Sequence, residues 1–383
     1  MVPTTPDPGS VGVVQTRTAR LFTPDSPLRL AGGATLPVVD VAYETYGTLS
    51  PAADNAVMVC HALTGDAHAA GWHPGDRRPG WWDNLIGPGK PLDTTRCFVI
   101  CANLLGGCQG TTGPSSTNPE TGTAYGLDFP LLQMADLVEV HRALLRHLGI
   151  ERLLAAIGGS LGGMQVLEWG LSHPGEVANA IVIAASSRLN AQNIGFSAVA
   201  RHAIMSDRSF DGGRYAEAGV SPDTGLSIAR MMAHITYLSE EALDSKFGRD
   251  PNPHAGEPGF GVDFAIESYL AHQGQVFLER FDALSYLYLT RVMDYFDPFA
   301  APGALDAVGV DPVTWLVLSF ASDWRFGTAH SRRIVRELEH VGQPVSFREI
   351  PSTWGHDSFL LEIEPYHATL AAFLDRAGEE GLR

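Results

Sequence analysis

The stretch AAIGGSLGGM, residues 155–164, sets one serine among four glycines at the end of an apolar run. A serine that only caps a helix needs no glycine two places before it and two places after it. A serine driven into a sharp strand-to-helix turn needs both, because the backbone there approaches itself too closely for side chains. The spacing Gly158-x-Ser160-x-Gly162 is that of a nucleophile elbow, which holds a hydroxyl at the head of a helix whose free N–H groups favour developing negative charge. With 41 glycines in 383 residues the bare pattern is weak. Its context is stronger: an apolar, strand-like run ends at the motif, and GMQVLEWGLSHP follows as a helical stretch that stops before Pro174.

A serine hydroxyl becomes a nucleophile when a base removes its proton. In an elbow of this kind the partners follow in the order serine, acid, histidine, each on a loop after a later strand. The segment VSFREIPSTWGHDSFL places His356 just after the last strand-like run, which makes it the candidate base. His330 and His340 fall on a helical stretch and His367 in the final helix. The run TWLVLSFASDWRF ends in Asp323, the candidate orienting acid. Asp311 precedes that run and belongs to the wrong edge of a sheet, while Asp357 adjoins His356 and is better placed to face a ligand. The oxyanion hole needs two amides: that of Leu161, after the nucleophile, and that of Leu63, in the loop after AVMVC.

These groups require a scaffold of parallel strands. Short apolar runs bounded by Gly, Pro, Asn or Asp occur at 56–60, 96–103, 153–159, 179–186, 314–320 and 345–350. Helical stretches separate several of them, the pattern of a mostly parallel sheet covered on both faces. MADLVEVHRALLRHLGI carries Leu137, Val140, Leu144, Leu145 and Leu148 at helical period, with Gly149 as its C-cap. From 187 to 304 strand-like runs vanish and amphipathic helical segments replace them, interrupted by the polar loop FGRDPNPHAGEPGFG. The expected organisation is a loose tail over 1–19, a core over 20–186 and 305–383, and a helical insertion over 187–304. There is no internal repeat and no low-complexity tract.

Composition narrows the class. Hydrophobic residues make up 45% and charged residues 18%, as in a folded globular enzyme. The net charge of −17 repels nucleic acid and anionic membrane surfaces. Cys60, Cys97, Cys101 and Cys108 include no C-x-x-C pair, so neither a disulfide framework nor a cysteine zinc site is indicated; Cys97 and Cys101 fit one buried strand face. The first ten residues lack a signal-peptide pattern and no apolar segment approaches membrane-spanning length, so a cytoplasmic protein is expected.

Taken together, HALTGDAH, GWWDNLIGPGKPLDT, NLLGGCQGTTGPSS, GGSLGGMQVLEW, ARMMAHITYLS, DWRF and GHDSFL closely resemble the homoserine O-acyltransferases of the MetX type, from about residue 20 to about 375. The resemblance implies an α/β-hydrolase fold, a cytoplasmic homodimer of methionine biosynthesis, and a helical insertion that covers the site and makes the dimer contact. It implies Ser160, Asp323 and His356 as the triad. It implies Arg230 and Asp357 as contacts to the carboxylate and ammonium of L-homoserine, although the bare sequence reads Arg230 as a surface helix charge. Acyl-CoA is then a co-substrate, with no permanently bound cofactor or metal and no nucleic-acid or membrane partner. Arg325, two residues past the acid, resembles the succinyl-transferring members, where a cation meets the second carboxylate of succinyl-CoA; the alternative is that it faces solvent or an acidic neighbour. Acetyl-CoA as donor, serine as acceptor, an esterase using the same triad, and an inactive hydrolase-like binding protein remain as alternatives.

Overall fold

A computed structural model describes residues 8–381 except 258, 301, 302, 304 and 310. Eight strands form one sheet in the order β1-β4-β6-β5-β7-β8-β9-β10, where β1 is Arg17–Phe22, β4 Val39–Tyr46, β5 Ala56–Cys60, β6 Phe98–Ala102, β7 Leu153–Gly159, β8 Val177–Ile183, β9 Thr314–Phe320 and β10 Val345–Ile350. Strands β5 to β10 run parallel; β1 and β4 form an antiparallel edge. A separate hairpin pairs β2 (Leu28–Arg29) with β3 (Thr35–Leu36).

The central strands are buried on both faces, which is why they read as continuous apolar runs rather than alternating ones. In β5, Met58 and Cys60 enter one hydrophobic cluster while Val57 and Val59 enter the other. The first cluster is completed by α1 (Met134–His147), α2 (Leu161–Ser172) and α8 (Thr328–His340). The second is completed by α9 (Glu364–Gly381), through Tyr366, Leu370 and Phe373, and by the loop carrying Trp82, Leu85 and Ile86. Gly149 closes α1 at φ 74°, as its sequence position requires. Cys97 and Cys101 pack in the same cluster, and the four cysteines are free thiols.

Between β8 and β9 the described residues form helices: α3 (Ala191–Ser206), α4 (Asp223–Tyr237), α5 (Glu240–Phe247), α6 (Ala265–Leu278) and α7 (Ala283–Tyr295). This insertion shares the first cluster with the sheet. Helix α7 is almost wholly buried, with Leu284, Leu289, Val292 and Met293 all inside.

Residues 12–19 do not form the loose tail expected over 1–19. Residues 1–7 lie outside the described residues, but Val14 donates to the Trp72 carbonyl at 3.0 Å, Trp72 donates to Gly12 at 3.0 Å, and β1 already begins at Arg17. The strands β1 and β4 supply the partner that periodicity alone did not announce. No helix among the described residues is long and apolar enough to cross a membrane.

Candidate active site

Ser160 stands between β7 and α2 with φ 59° and ψ −124°, a conformation that L side chains rarely adopt. Neighbouring glycines make it possible. A Cβ on Gly162 would lie 1.9 Å from the Cys60 carbonyl oxygen, and one on Gly158 would lie 2.4 Å from the backbone of Gly162. The head of α2 is thus pressed against the end of β5, and the loop that leaves β5 passes beside Ser160.

His356 and Asp323 arrive from the loops after β10 and β9. The Ser160 hydroxyl is 2.9 Å from His356 Nε2, and His356 Nδ1 donates to Asp323 Oδ2 at 2.7 Å. All three side chains are buried. Asp323 Oδ1 accepts the amides of Arg325 at 3.0 Å and Phe326 at 2.9 Å. Burial would push the Asp323 carboxyl up, but the charge and hydrogen bond of His356 and these two amides outweigh it and hold it below its ordinary value. It is therefore an anion that fixes the imidazole tautomer. Phe326 and Phe359 pack edge-on against the imidazole, with centroids at 5.1 and 5.6 Å, and restrict its rotation.

Leu161 follows Ser160 at the start of α2 and Leu63 lies in the loop after β5; among the described residues no hydrogen bond to an acceptor is formed by either amide. The β5 loop that carries Leu63 is held by a buried network. His61 Nδ1 donates to the Ala62 carbonyl at 2.7 Å, His61 Nε2 accepts from Leu104 N at 3.2 Å, and Gln165 donates to the His61 and Leu161 carbonyls. Burial lowers the His61 pKa, so the ring acts as a neutral strut.

The cations come chiefly from elsewhere. Arg230, on α4, donates to Thr64 Oγ1 at 3.2 Å and lies over the rings of Phe277 and Tyr237, at 4.7 and 5.9 Å. Arg325 is 8% exposed, donates to Thr236 Oγ1, and also lies over the Tyr237 ring, at 5.4 Å. It is nearly closed to bulk solvent, and among the described residues neither Arg230 nor Arg325 has a carboxylate within ion-pair distance, although the charges of both act on Asp357. Asp357 is pushed up to about 6 by burial, against the moderating charges of His356, Arg230 and Arg325.

Several contributors escaped the sequence reading. Both guanidinium groups lie over the Tyr237 ring, and Thr64 and Thr236 accept hydrogen bonds from them. Arg280, just past α6, donates to the Thr64 carbonyl and ties the insertion to the β5 loop. Trp324 Nε1 donates to the Leu238 carbonyl at 2.9 Å. Gly355, at φ 76°, lies so close to the α4–α5 junction that a Cβ there would meet Ser239 N at 2.5 Å. The motif ARMMAHITYLS contained Tyr237 and Thr236, but nothing in helical periodicity distinguishes them from packing residues. Of the rejected histidines, His330 hydrogen-bonds Ser186 and takes no part in the triad geometry.

A cleft of about 690 Å³ opens at the opposite edge of the sheet, lined by Arg96, Cys97 and His367 among others. It holds none of these groups, and the C-terminal edge, where ligands of open parallel sheets bind, is where the chemistry converges.

Fold and geometry together define a serine-centred acyl-transfer scaffold, and the alpha/beta hydrolase fold family matches residues 55–363. A homoserine O-succinyltransferase from Nocardioides sp. is 58% identical over 366 residues, covering 96% of this chain and 99% of that protein. A homoserine O-acetyltransferase from Caulobacter vibrioides is 51% identical, covering 93% of this chain and 94% of the relative. The crystal structure of homoserine O-acetyltransferase from Bacillus anthracis superposes with a TM-score of 0.86 at 28% identity, over 95% of this chain and 98% of that one. The chain belongs to the homoserine O-acyltransferases of the MetX type.

Proposed function

We propose that the protein is a homoserine O-succinyltransferase working through an acyl-serine intermediate. In the first half-reaction Ser160 Oγ bonds to the thioester carbon of succinyl-CoA as His356 Nε2 takes its proton. The amides of Leu63 and Leu161 meet the oxyanion. Collapse breaks the C–S bond, and the imidazolium returns the proton to the departing sulfur. In the second, His356 takes the proton of the homoserine hydroxyl, whose oxygen attacks the ester carbon, and Ser160 leaves with that proton. Acyl-CoA is consumed as a substrate, and the cycle requires no resident cofactor or metal.

The observation that carries the choice of donor is Arg325, a buried guanidinium without a carboxylate partner beside the triad. Burying such a charge is costly unless a ligand completes it. Succinyl differs from acetyl by a chain ending in a carboxylate, which is what this cation lacks. Arg230 is the second unpaired cation and suits the homoserine carboxylate, with Asp357 opposite for the ammonium.

Arg325→Leu tests the donor assignment. Loss of a buried charge partner costs about 2–5 kcal/mol, so kcat/KM for succinyl-CoA falls about 30-fold or more while acetyl-CoA turnover persists. Undiminished succinyl transfer would refute the role of Arg325. Release of CoA thiol with and without homoserine, and with L-serine in its place, separates acyl transfer from esterase-type hydrolysis and homoserine from the acceptor one methylene shorter.

The insertion over 187–304 is in this reading both a lid and the contact of a homodimer. Its α4–α5 junction seats on the His356 loop, and α3, α4 and α6 expose Ile194, Val199, Met205, Ile228, Ile235 and Val276. A partner copy seated on these helices would cover these side chains. The expected compartment is the cytoplasm, where acyl-CoA is made and used.

A further inference from the structure

Outside the reacting groups, a second chemical cluster joins β4 to the loop after β5. Glu44, 1% exposed, accepts at Oε1 from His73 Nε2 at 2.8 Å and from Thr16 Oγ1 at 2.7 Å. At Oε2 it accepts from Tyr46 at 2.9 Å and from His68 Nδ1 at 3.1 Å. The two imidazoles stack at 3.9 Å, and one ligand atom from each of the three residues falls within 4.8 Å of the others.

We propose that Glu44, His68 and His73 form a binding site for a divalent cation of the zinc class. One carboxylate and two imidazoles are a donor set that zinc takes, with a fourth position open to water. Ligand atoms around a zinc at about 2.0–2.2 Å lie roughly 3.3 Å apart, and the two imidazole-to-Glu44 distances, 3.1 and 2.8 Å, are close to that. Asp76 supplies what ligating histidines need behind them: its Oδ2 is 3.5 Å from His68 Nε2 and 3.9 Å from His73 Nδ1. His68 Nε2 is buried without a hydrogen bond, and a ring drawn toward a cation would close that gap. Thr16 and Tyr46 already orient the Glu44 carboxylate. Both imidazoles are partly open, with side chains 16% and 30% exposed, which leaves an entry path.

Binding needs both imidazoles neutral, with the nitrogens directed at Glu44 free of their protons, which either move to the opposite ring nitrogens or, from an imidazolium, leave; affinity therefore rises with pH. The cation would clamp the loop that carries Leu63 and Thr64 to β4 and to the N-terminal segment at Thr16.

The test uses untagged full-length protein, stripped with EDTA and titrated with Zn²⁺ by calorimetry and with Co²⁺ by visible absorption. One Zn²⁺ per chain, tightening from pH 6 to pH 8, with Co²⁺ absorption bands of a low-coordinate site, is the expected result. His68→Gln and His73→Gln lose stoichiometric binding and the cobalt bands while keeping the far-UV circular dichroism spectrum, and Asp76→Asn weakens binding about 10–100-fold. Absence of stoichiometric Zn²⁺ binding by the wild-type protein overturns the proposal. So does equal binding by either histidine variant, which would place the ion on other histidines. Glu44→Gln provides the same comparison should a histidine variant fail to fold.

Discussion

The C-terminal edge of the sheet and the helical insertion contribute to the site in different ways. The edge supplies Ser160, Asp323 and His356 from the loops that leave β7, β9 and β10, each braced by backbone hydrogen bonds or close-packed glycine. The insertion supplies Arg230, Thr236 and Tyr237 from one helix, held to the edge by Arg280, Trp324 and the contact at Gly355. In the proposed reaction the sheet edge makes and breaks the bond, and the insertion, with Arg325 and Asp357 on the edge loops, selects the molecules offered. A fold shared with many hydrolases acquires a particular acyl acceptor through residues that the fold itself does not require.

Substitutions on the two sides should separate accordingly. Ser160→Ala removes the nucleophile, and CoA release from succinyl-CoA should fall by about 10⁴-fold or more, with or without homoserine, in a stopped thiol assay. Gly162→Ala attacks the same side through the backbone: with 1.9 Å between the new Cβ and Cys60 O, the elbow must shift. We expect about 3 kcal/mol of lost stability by denaturant titration and a large loss of both half-reactions. Arg230→Leu should leave acyl-enzyme formation nearly intact in single-turnover experiments and raise the homoserine KM by about 30-fold or more. If Arg230→Leu instead abolishes the CoA burst, the division between edge and insertion is wrong.

The same division explains what the sequence revealed. The runs at 56–60, 153–159 and 314–320 match β5, β7 and β9 residue for residue, because strands buried on both faces carry an unbroken apolar signal, and the run at 345–350 matches β10, an edge strand with a more open, mixed sequence. With those ends fixed, Ser160, Asp323 and His356 followed from position, and the structure brings them within hydrogen-bond reach. β4 was missed because its sequence, VDVAYETY, mixes Asp40 and Glu44 into an apolar pattern; these acids answer to Arg20 and to the two histidines, partners remote in sequence. Tyr237 was missed for a related reason. Its work depends on which two arginines flank it, and a helix 86 residues upstream of the Trp324 it neighbours carries no local sign of that.

Asp357 sharpens the comparison by a smaller and more revealing effect, because stability and function should move in opposite directions there. Its carboxyl is pushed up from an ordinary 3.8 to about 6. A carboxyl raised in the folded state costs stability once it must ionise, so the penalty is absent below pH 3.8, grows between pH 4 and 6 and is complete above pH 6. Two units correspond to at most about 3 kcal/mol, fewer once water reaches this half-buried side chain. Asp357→Asn should therefore raise the melting temperature at pH 8 and leave it nearly unchanged at pH 4. The same substitution removes the anion that would hold the homoserine ammonium, so the KM for homoserine should rise at pH 8 while CoA release in the first half-reaction is preserved. In the wild-type enzyme the homoserine KM should also rise as the pH falls through about 6, where Asp357 takes up its proton. An Asp357→Asn enzyme whose homoserine KM keeps that pH dependence would show that another group recognises the ammonium, and one that loses stability at pH 8 would show that the buried carboxylate is paired rather than waiting for its ligand.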